Sequence, residues 1–70
     1  MGYLLKEDVA KNIRKKYKNG YLSEIIGISP TYVSLIFHRK RIIPRRLAYA
    51  FTKAINSELE INNLFELIKK

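Results

Sequence analysis

Residues 27–41 read GISPTYVSLIFHRKR, and this stretch decides the fold that the rest of the chain must support. Gly27 can end a preceding helix, because glycine adopts backbone conformations that strain other residues. Ser29 can accept a hydrogen bond from an N–H of a new first turn, and Pro30 falls where no N–H is needed. A tight turn followed by a helix from Pro30 is therefore predicted.

The apolar spacing on either side of this turn predicts five short helices. Their expected ranges are about 6–17, 21–26, 30–38, 44–55 and 62–69. A stripe that repeats every four residues supports the first helix and consists of Leu5, Val9, Ile13 and Tyr17. Asn19-Gly20 is expected to end that helix, and Asn56-Ser57 to end the fourth.

The chain is predicted to be all-α, because no segment alternates apolar and polar residues for more than a few positions. One face of each helix would fill the core. The expected contributors are Leu22, Ile25 and Ile26 from the second helix, Val33 and Ile36 from the third, Leu47 and Phe51 from the fourth, and Leu64, Phe65 and Ile68 from the fifth. The expected architecture is a compact bundle of about five short helices in a single domain, residues 1–70.

Composition excludes several classes of protein. The chain has no cysteine and a single histidine, His38, so neither a disulfide nor a zinc site built from Cys and His is expected. Its acids do not pair at spacings that suggest acid–base catalysis, and no glycine loop could cradle a phosphate, so no enzyme and no cofactor are expected. No apolar run approaches the roughly 20 residues of a membrane span; the expected location is the cytoplasm, without a membrane partner.

Positive charge is unevenly placed along the chain. The net charge is +8, and residues 25–57 contain six bases and no acid. A face that only keeps a small protein in solution usually mixes both signs. The acid-free window of 33 residues therefore favours binding to a polyanion.

The quoted stretch and the residues before it have the layout of a helix-turn-helix unit, in which a turn with glycine joins two short helices. The small Ser23 would let the two helices approach, and Ile28 would fill the space between them. Val33 and Ile36 would fix the second helix of the unit so that its amino end faces outward. Unpaired N–H groups and the helix dipole at that end favour an anion.

The segment LSEIIGISPTYVSLI at residues 22–36, followed by HRKR at 38–41 and by Pro44, resembles the lambda repressor/Cro-like (Xre-type) helix-turn-helix family. The resemblance is strongest over residues 22–44 and extends over residues 47–65. It implies a five-helix bundle that binds operator DNA with helix 3 in the major groove, commonly as a homodimer.

Carried over by position, the resemblance implies two sets of DNA-binding residues. The set that faces the bases would be Ser29, Pro30, Thr31, Ser34, Leu35 and His38. The set on phosphates would be Tyr32, Arg39, Lys40, Arg41 and Arg45. Double-stranded DNA is the implied partner, and a small sequence-selective, repressor-like transcriptional regulator is the implied function.

The chain departs from the family pattern at two of these positions. Leu35 stands where relatives often carry a polar or basic side chain, and leucine can contact only a thymine methyl or another apolar group. The outer side of helix 3 has no Arg, Asn or Gln, so specificity would depend on DNA shape. Arg39 stands where many relatives turn through glycine, which predicts a differently shaped loop.

Three of these assignments have alternatives. The same fold could hold a protein or an RNA, for instance as an inhibitor of a nucleic-acid-handling enzyme, and Leu35 with the missing base-reading side chains motivates this reading. Apolar residues near the carboxyl end could pack in the core or form a dimer interface: Leu59, Ile61, Leu64, Phe65 and Ile68. The cations of helix 1 are expected to form mostly a solvated face: Lys11, Arg14, Lys15, Lys16 and Lys18.

Overall fold

The computed structural model describes residues 2–69. In chain order its elements are β1 (Gly2–Leu5), α1 (Glu7–Lys16), α2 (Asn19–Ile26), α3 (Pro30–Phe37), α4 (Arg45–Ile55), α5 (Ile61–Leu64) and β2 (Phe65–Ile68). Over this range the chain is mostly helical, with five helices and one two-stranded sheet. None of these helices is long and apolar enough to cross a membrane.

An antiparallel sheet joins the two ends of the described chain, and it corrects the prediction of an all-α fold. β1 pairs with β2 in a register that places Tyr3 opposite Leu67 and Leu5 opposite Phe65. On its other side β1 forms an isolated bridge from Tyr3 to Ile43. β1 is therefore flanked on both sides, whereas β2 lies at the edge.

The predicted fifth helix over residues 62–69 is wrong, because α5 ends at Leu64 and the chain continues as β2. The carbonyl of Leu64 accepts a hydrogen bond from the backbone of Lys6 at 2.9 Å. The chain thus leaves the helix where β1 supplies ladder partners instead. The apolar residues at 64, 65 and 68 have the spacing of a helical face. The segment from residue 65 onward pairs instead with β1, which lies at the opposite end of the sequence.

The first helix is shorter than predicted at both ends. Leu5 belongs to β1, where it is buried, although it continues the apolar spacing of α1. α1 ends at Lys16, and extended backbone at Tyr17 and Lys18 leads directly into α2. Asn19-Gly20 therefore begins α2 and does not terminate α1, which corrects that prediction.

The turn between α2 and α3 agrees with the sequence prediction in detail. Gly27 has a φ of 86°, in the left-handed region that favours glycine. The Ser29 hydroxyl accepts from the N–H of Tyr32 at 3.1 Å, and α3 begins at Pro30. The Ser23 hydroxyl donates to the carbonyl of Ile28 at 2.6 Å, which also ties the turn to α2.

Three phenylalanine rings link the helices to the sheet. Phe51 of α4 meets Phe37 of α3 and Phe65 of β2 edge to face, with ring centroids 5.9 and 5.5 Å apart. Such pairs contribute about 0.5–1.5 kcal/mol beyond the area they bury. The buried apolar side chains around them include Leu5, Leu22, Val33, Ile36, Ile43 and Leu64.

Burial differs from the prediction at Ile25 and agrees with it at Leu64 and Phe65. Ile25, assigned to the buried side of the second helix, is 51% exposed. At the carboxyl end Leu64 and Phe65 are buried, and Leu59 and Ile61 pack against the same core. Packing within the chain therefore accounts for most of the apolar residues that also suggested a dimer interface.

Candidate nucleic-acid interface

The outer side of α3 carries the residues assigned to base contacts. Val33, Ile36 and Phe37 are buried and hold the helix on the core. The opposite side consists of exposed Ser29, Pro30, Thr31 and His38 with half-buried Ser34 and Leu35. Positions 31, 34, 35 and 38 lie three or four residues apart, so they form one continuous surface.

Both ends of α3 are fixed by side chains. Ser29 caps the amino end, and the Nη1 atom of Arg14 donates to the carbonyl of Phe37 at 2.8 Å at the carboxyl end. The second contact satisfies a carbonyl that has no partner within the helix. Arg14 was expected on a solvated face, and its actual role has no sequence signal, since the two residues are 23 positions apart.

The basic loop, residues 38–44, leaves α3 through a left-handed turn at Arg39. Its φ is 57°, and it is the non-glycine residue with positive φ in the described chain. The N–H of Arg39 donates to Ile36 and that of Lys40 to Leu35, at 3.2 and 2.9 Å. Arg39 thus adopts a backbone conformation that favours glycine, at a cost of about 1–2 kcal/mol.

The side chain of Arg39 points into the protein, toward the sheet. Its Nε atom donates to the carbonyl of Leu5 at 2.8 Å, and Nη2 donates to Oε2 of Glu66 at 3.3 Å. Nη1 lies 3.9 Å from Oε1 of Glu7. The residue was assigned to phosphate binding, but its guanidinium group is occupied by three partners within the chain.

Lys40 and Arg41 are exposed, in agreement with their assignment to phosphates. The guanidinium carbon of Arg41 lies 5.3 Å from the ring centroid of Tyr32, within the range of a cation–π contact. The half-buried Tyr32 therefore orients Arg41 at the edge of α3. These two predicted phosphate ligands are adjacent in space.

Arg45 is separate from this group. It lines a cleft with Tyr3, Tyr49 and Lys53 beside α5. The next residue, Arg46, lines an apolar groove between α2 and α4. The sequence predicts Arg45, and not Arg46, as a phosphate ligand. Neighbouring residues of a helix point in different directions, and the sequence alone does not determine which of the two faces which side.

A shallow cleft between α1 and the basic loop gathers further cations. It is lined by Lys11, Arg14, His38, Arg39 and Lys40, with Glu7 and Ala10. Positive charge concentrated in a concave surface raises the local concentration of anions. Lys11, which the sequence assigned to a solvated face, therefore joins the candidate interface.

Comparison with known proteins adds no relative. The sequence matches no model of a protein family, and searches of curated proteins and of solved structures also find no match. The arrangement of side chains around α3 and the basic loop is therefore what points to a function.

Proposed function

We propose that the chain is a sequence-selective regulator that binds double-stranded DNA through a helix-turn-helix unit of the lambda repressor/Cro-like kind. In this proposal α2 and α3 form the unit, α3 enters the major groove, and Lys40 and Arg41 bind flanking phosphates. The expected effect is control of transcription at an operator.

One observation carries the proposal: a capped, firmly held helix with a polar outer side lies next to exposed cations. α3 has eight residues, or about 12 Å of length, and its diameter of about 10–12 Å with side chains matches a major groove about 12 Å wide. The acid-free window of residues 25–57 includes α3 and the whole basic loop. No carboxylate from residues 25–57 would therefore repel a DNA duplex bound on this side.

Base recognition in this proposal is modest. Thr31, Ser34 and His38 can exchange hydrogen bonds with base edges, and Leu35 can contact a thymine methyl. None of them makes the bidentate contacts by which Arg, Asn or Gln read a base. Part of the specificity would therefore come from the shape and stiffness of the DNA.

We also propose that the regulator binds as a homodimer through the outer edge of β2. Tyr3 exchanges both backbone hydrogen bonds with Ile43, at 2.7 and 2.8 Å, so its N–H and C=O point away from β2. Because antiparallel ladders alternate, Gly2 and Leu4 make the bonds to β2. The N–H and C=O of Leu67 then point to an edge on which residues 2–69 place no other strand.

A second copy of the chain fits this edge because an antiparallel pair about a two-fold axis is self-complementary. An axis at Leu67 would pair that residue with its equivalent and cover a side chain that is 41% exposed. β2 contains Glu66 and no base. β2 therefore contributes no base of its own to this contact between two chains of net charge +8.

In-vitro selection from random DNA duplexes at about physiological salt tests the proposal. We expect enrichment of a palindromic motif, as a two-fold dimer requires. If five or six phosphates are neutralised, log K should fall with log salt at a slope of about −5. A slope near zero, or no enrichment over random sequence, would contradict the proposal.

A second candidate function is the binding of a protein by the same fold. An apolar groove between α2 and α4 is lined by Ile26, Pro44, Leu47 and Ala50. Ile25, on the same helix as Ile26, is half exposed. If selection enriches no duplex, capture of an apolar helix in this groove becomes the leading explanation.

A further inference from the structure

We infer that Arg39 is a positioning residue, which holds the basic loop in the shape that lets Lys40 and Arg41 reach phosphates. The inference rests on the proposed function, because it assigns roles within the DNA-binding site. It also gives Arg39 a different role from that of Lys40 and Arg41, although the sequence RKR does not distinguish the three.

The segment that carries the two exposed cations is anchored to β1 at both ends. At one end Arg39 donates to the carbonyl of Leu5 at 2.8 Å. At the other end Ile43 and Tyr3 exchange two backbone hydrogen bonds, at 2.7 and 2.8 Å. Three residues, 40–42, span the interval between the anchors. Their backbone is therefore held against the sheet while the side chains of residues 40 and 41 face solvent.

Arginine suits the first anchor better than lysine. Its planar group has five donors in a fixed fork, so one side chain reaches a carbonyl and a carboxylate in different directions. Here Nε serves Leu5, and the two terminal nitrogens face Glu66 and Glu7. A lysine has a single charged atom and cannot keep this arrangement.

The same contacts remove Arg39 from direct phosphate binding. To reach DNA it would have to release the carbonyl of Leu5, the last residue of β1, and that carbonyl points away from β2, as the carbonyl of Tyr3 does. Two carboxylates beside the guanidinium also offset its charge. Lys40 and Arg41 have no such contacts with acids among residues 2–69.

Two conservative exchanges test the inference. Arg39→Lys and Lys16→Arg each exchange lysine and arginine and leave the net charge unchanged, so long-range electrostatics is matched. Lys16 lies beside Ile55 and Leu59, on the side of α1 away from the loop. We expect Arg39→Lys to weaken binding to the selected duplex about three- to tenfold, and Lys16→Arg to change it less than about twofold.

Amide hydrogen exchange on the free protein supplies the second readout. The N–H groups of Lys40 and Ile43 are bonded to Leu35 and Tyr3, at 2.9 and 2.8 Å. We expect both to exchange faster in Arg39→Lys and at the wild-type rate in Lys16→Arg. Weaker DNA binding with unchanged exchange would overturn the inference, because the guanidinium would then contact DNA itself. Faster exchange with unchanged DNA binding would overturn it as well.

Glu66→Thr provides a second variant, which removes the carboxylate and keeps a residue that favours strands. Charge alone predicts tighter DNA binding, because one negative charge is lost. The positioning role predicts faster exchange at Lys40 and no gain in affinity, and a gain in affinity with unchanged exchange would overturn it. If the wild-type chain binds no duplex at any salt concentration, the proposed function fails, and the exchange rates alone decide whether Arg39 holds the loop.

Discussion

At the scale of single residues, two positions among residues 2–69 adopt a left-handed backbone, and they relieve the same steric strain differently. Gly27 has no side chain to strain, so its φ of 86° is inexpensive. Arg39 carries a side chain and a φ of 57°, and its contacts with the sheet offset the strain. The turn at Gly27 therefore requires the absence of a side chain, whereas the turn at Arg39 is stabilised by the contacts of its side chain.

Gly27→Ala is expected to destabilise the protein by about 1–2 kcal/mol, because an L side chain strains this backbone. The loss would appear in urea unfolding as a lower midpoint with an unchanged slope. Gly20→Ala is the matched control: Gly20 lies in α2, and an added Cβ would meet nothing within 4 Å. It should stabilise the protein by about 0.5–1 kcal/mol. Equal losses in both variants would show that the positive φ is not the cause.

Residues whose partners are close in sequence were predicted, and those with distant partners were not. Gly27, Ser29 and Pro30 act on the turn in which they stand, so their chemistry can be read directly. Arg14 and Arg39 act on carbonyls 23 and 34 positions away. Nothing in the sequence distinguishes Arg14 and Arg39 from the other basic residues, which explains why Arg39 was assigned to phosphates.

At the scale of elements, α3 is defined by its capped ends and its divided surface. Its buried side is set by Val33 and Ile36, as the apolar spacing predicts. Its outer side is polar except for the half-buried Leu35. The helix could therefore be predicted closely, because all of the information that determines it lies within ten residues or so.

Ser29→Ala is expected to cost about 1 kcal/mol of stability, since the N–H of Tyr32 loses its acceptor. Thr31→Ala serves as the comparison, because Thr31 is exposed and makes no cap. It should leave the thermal midpoint within about 1 °C of the wild type and instead alter the sequence preference found by selection. A change in stability without a change in preference at Thr31 would exclude it from base contact.

The two strands could not be predicted from their own residues. β1 is GYLL and β2 is FELI, and neither shows a run of alternation longer than a few positions. Phe65 and Leu67 share one face with Leu5 and Tyr3, a relation fixed by pairing across nearly the whole chain. Local spacing favoured a helix for residues 62–69, and tertiary pairing prevailed.

At the scale of the whole molecule, positive and negative charge are segregated along the chain. Five of the six acids lie before residue 9 or after residue 57, and the sixth is Glu24. The window between Glu24 and Glu58 supplies α3, the basic loop and all of α4. The net charge and the position of each charged residue along the chain follow from the sequence, whereas only the structure shows that Arg45 and Arg46 face different sides.

Lys40→Ala with Arg41→Ala is expected to weaken binding to every duplex alike, because phosphates carry no sequence information. Each removed contact should make the salt slope shallower by about 0.9. Lys16→Ala is the control cation, since Lys16 lies beside Ile55 and Leu59, on the side of α1 away from the loop. A loss that differs strongly between selected and random duplexes would place the two cations on bases instead.

Leu67→Glu is expected to produce a monomer at concentrations at which the wild-type chain sediments as a dimer, because two like charges would meet at the two-fold axis. Its affinity for a palindromic site should fall accordingly. Ile25→Glu is the matched control, because Ile25 on α2 is an apolar residue of similar exposure, 51% against 41% for Leu67. If Ile25→Glu yields the monomer and Leu67→Glu does not, the contact between copies lies on α2.

The pairing of β1 with β2 also orders events during synthesis on the ribosome. β1 precedes β2 by most of the described chain, so the edge of β1 that faces β2 stays uncovered until β2 has been made. Contacts this far apart in sequence form slowly, since a long loop has to close first. A nascent chain in which β2 has not yet emerged has no Glu66 to hold Arg39, so the basic loop would reach its final shape only after β2 pairs with β1.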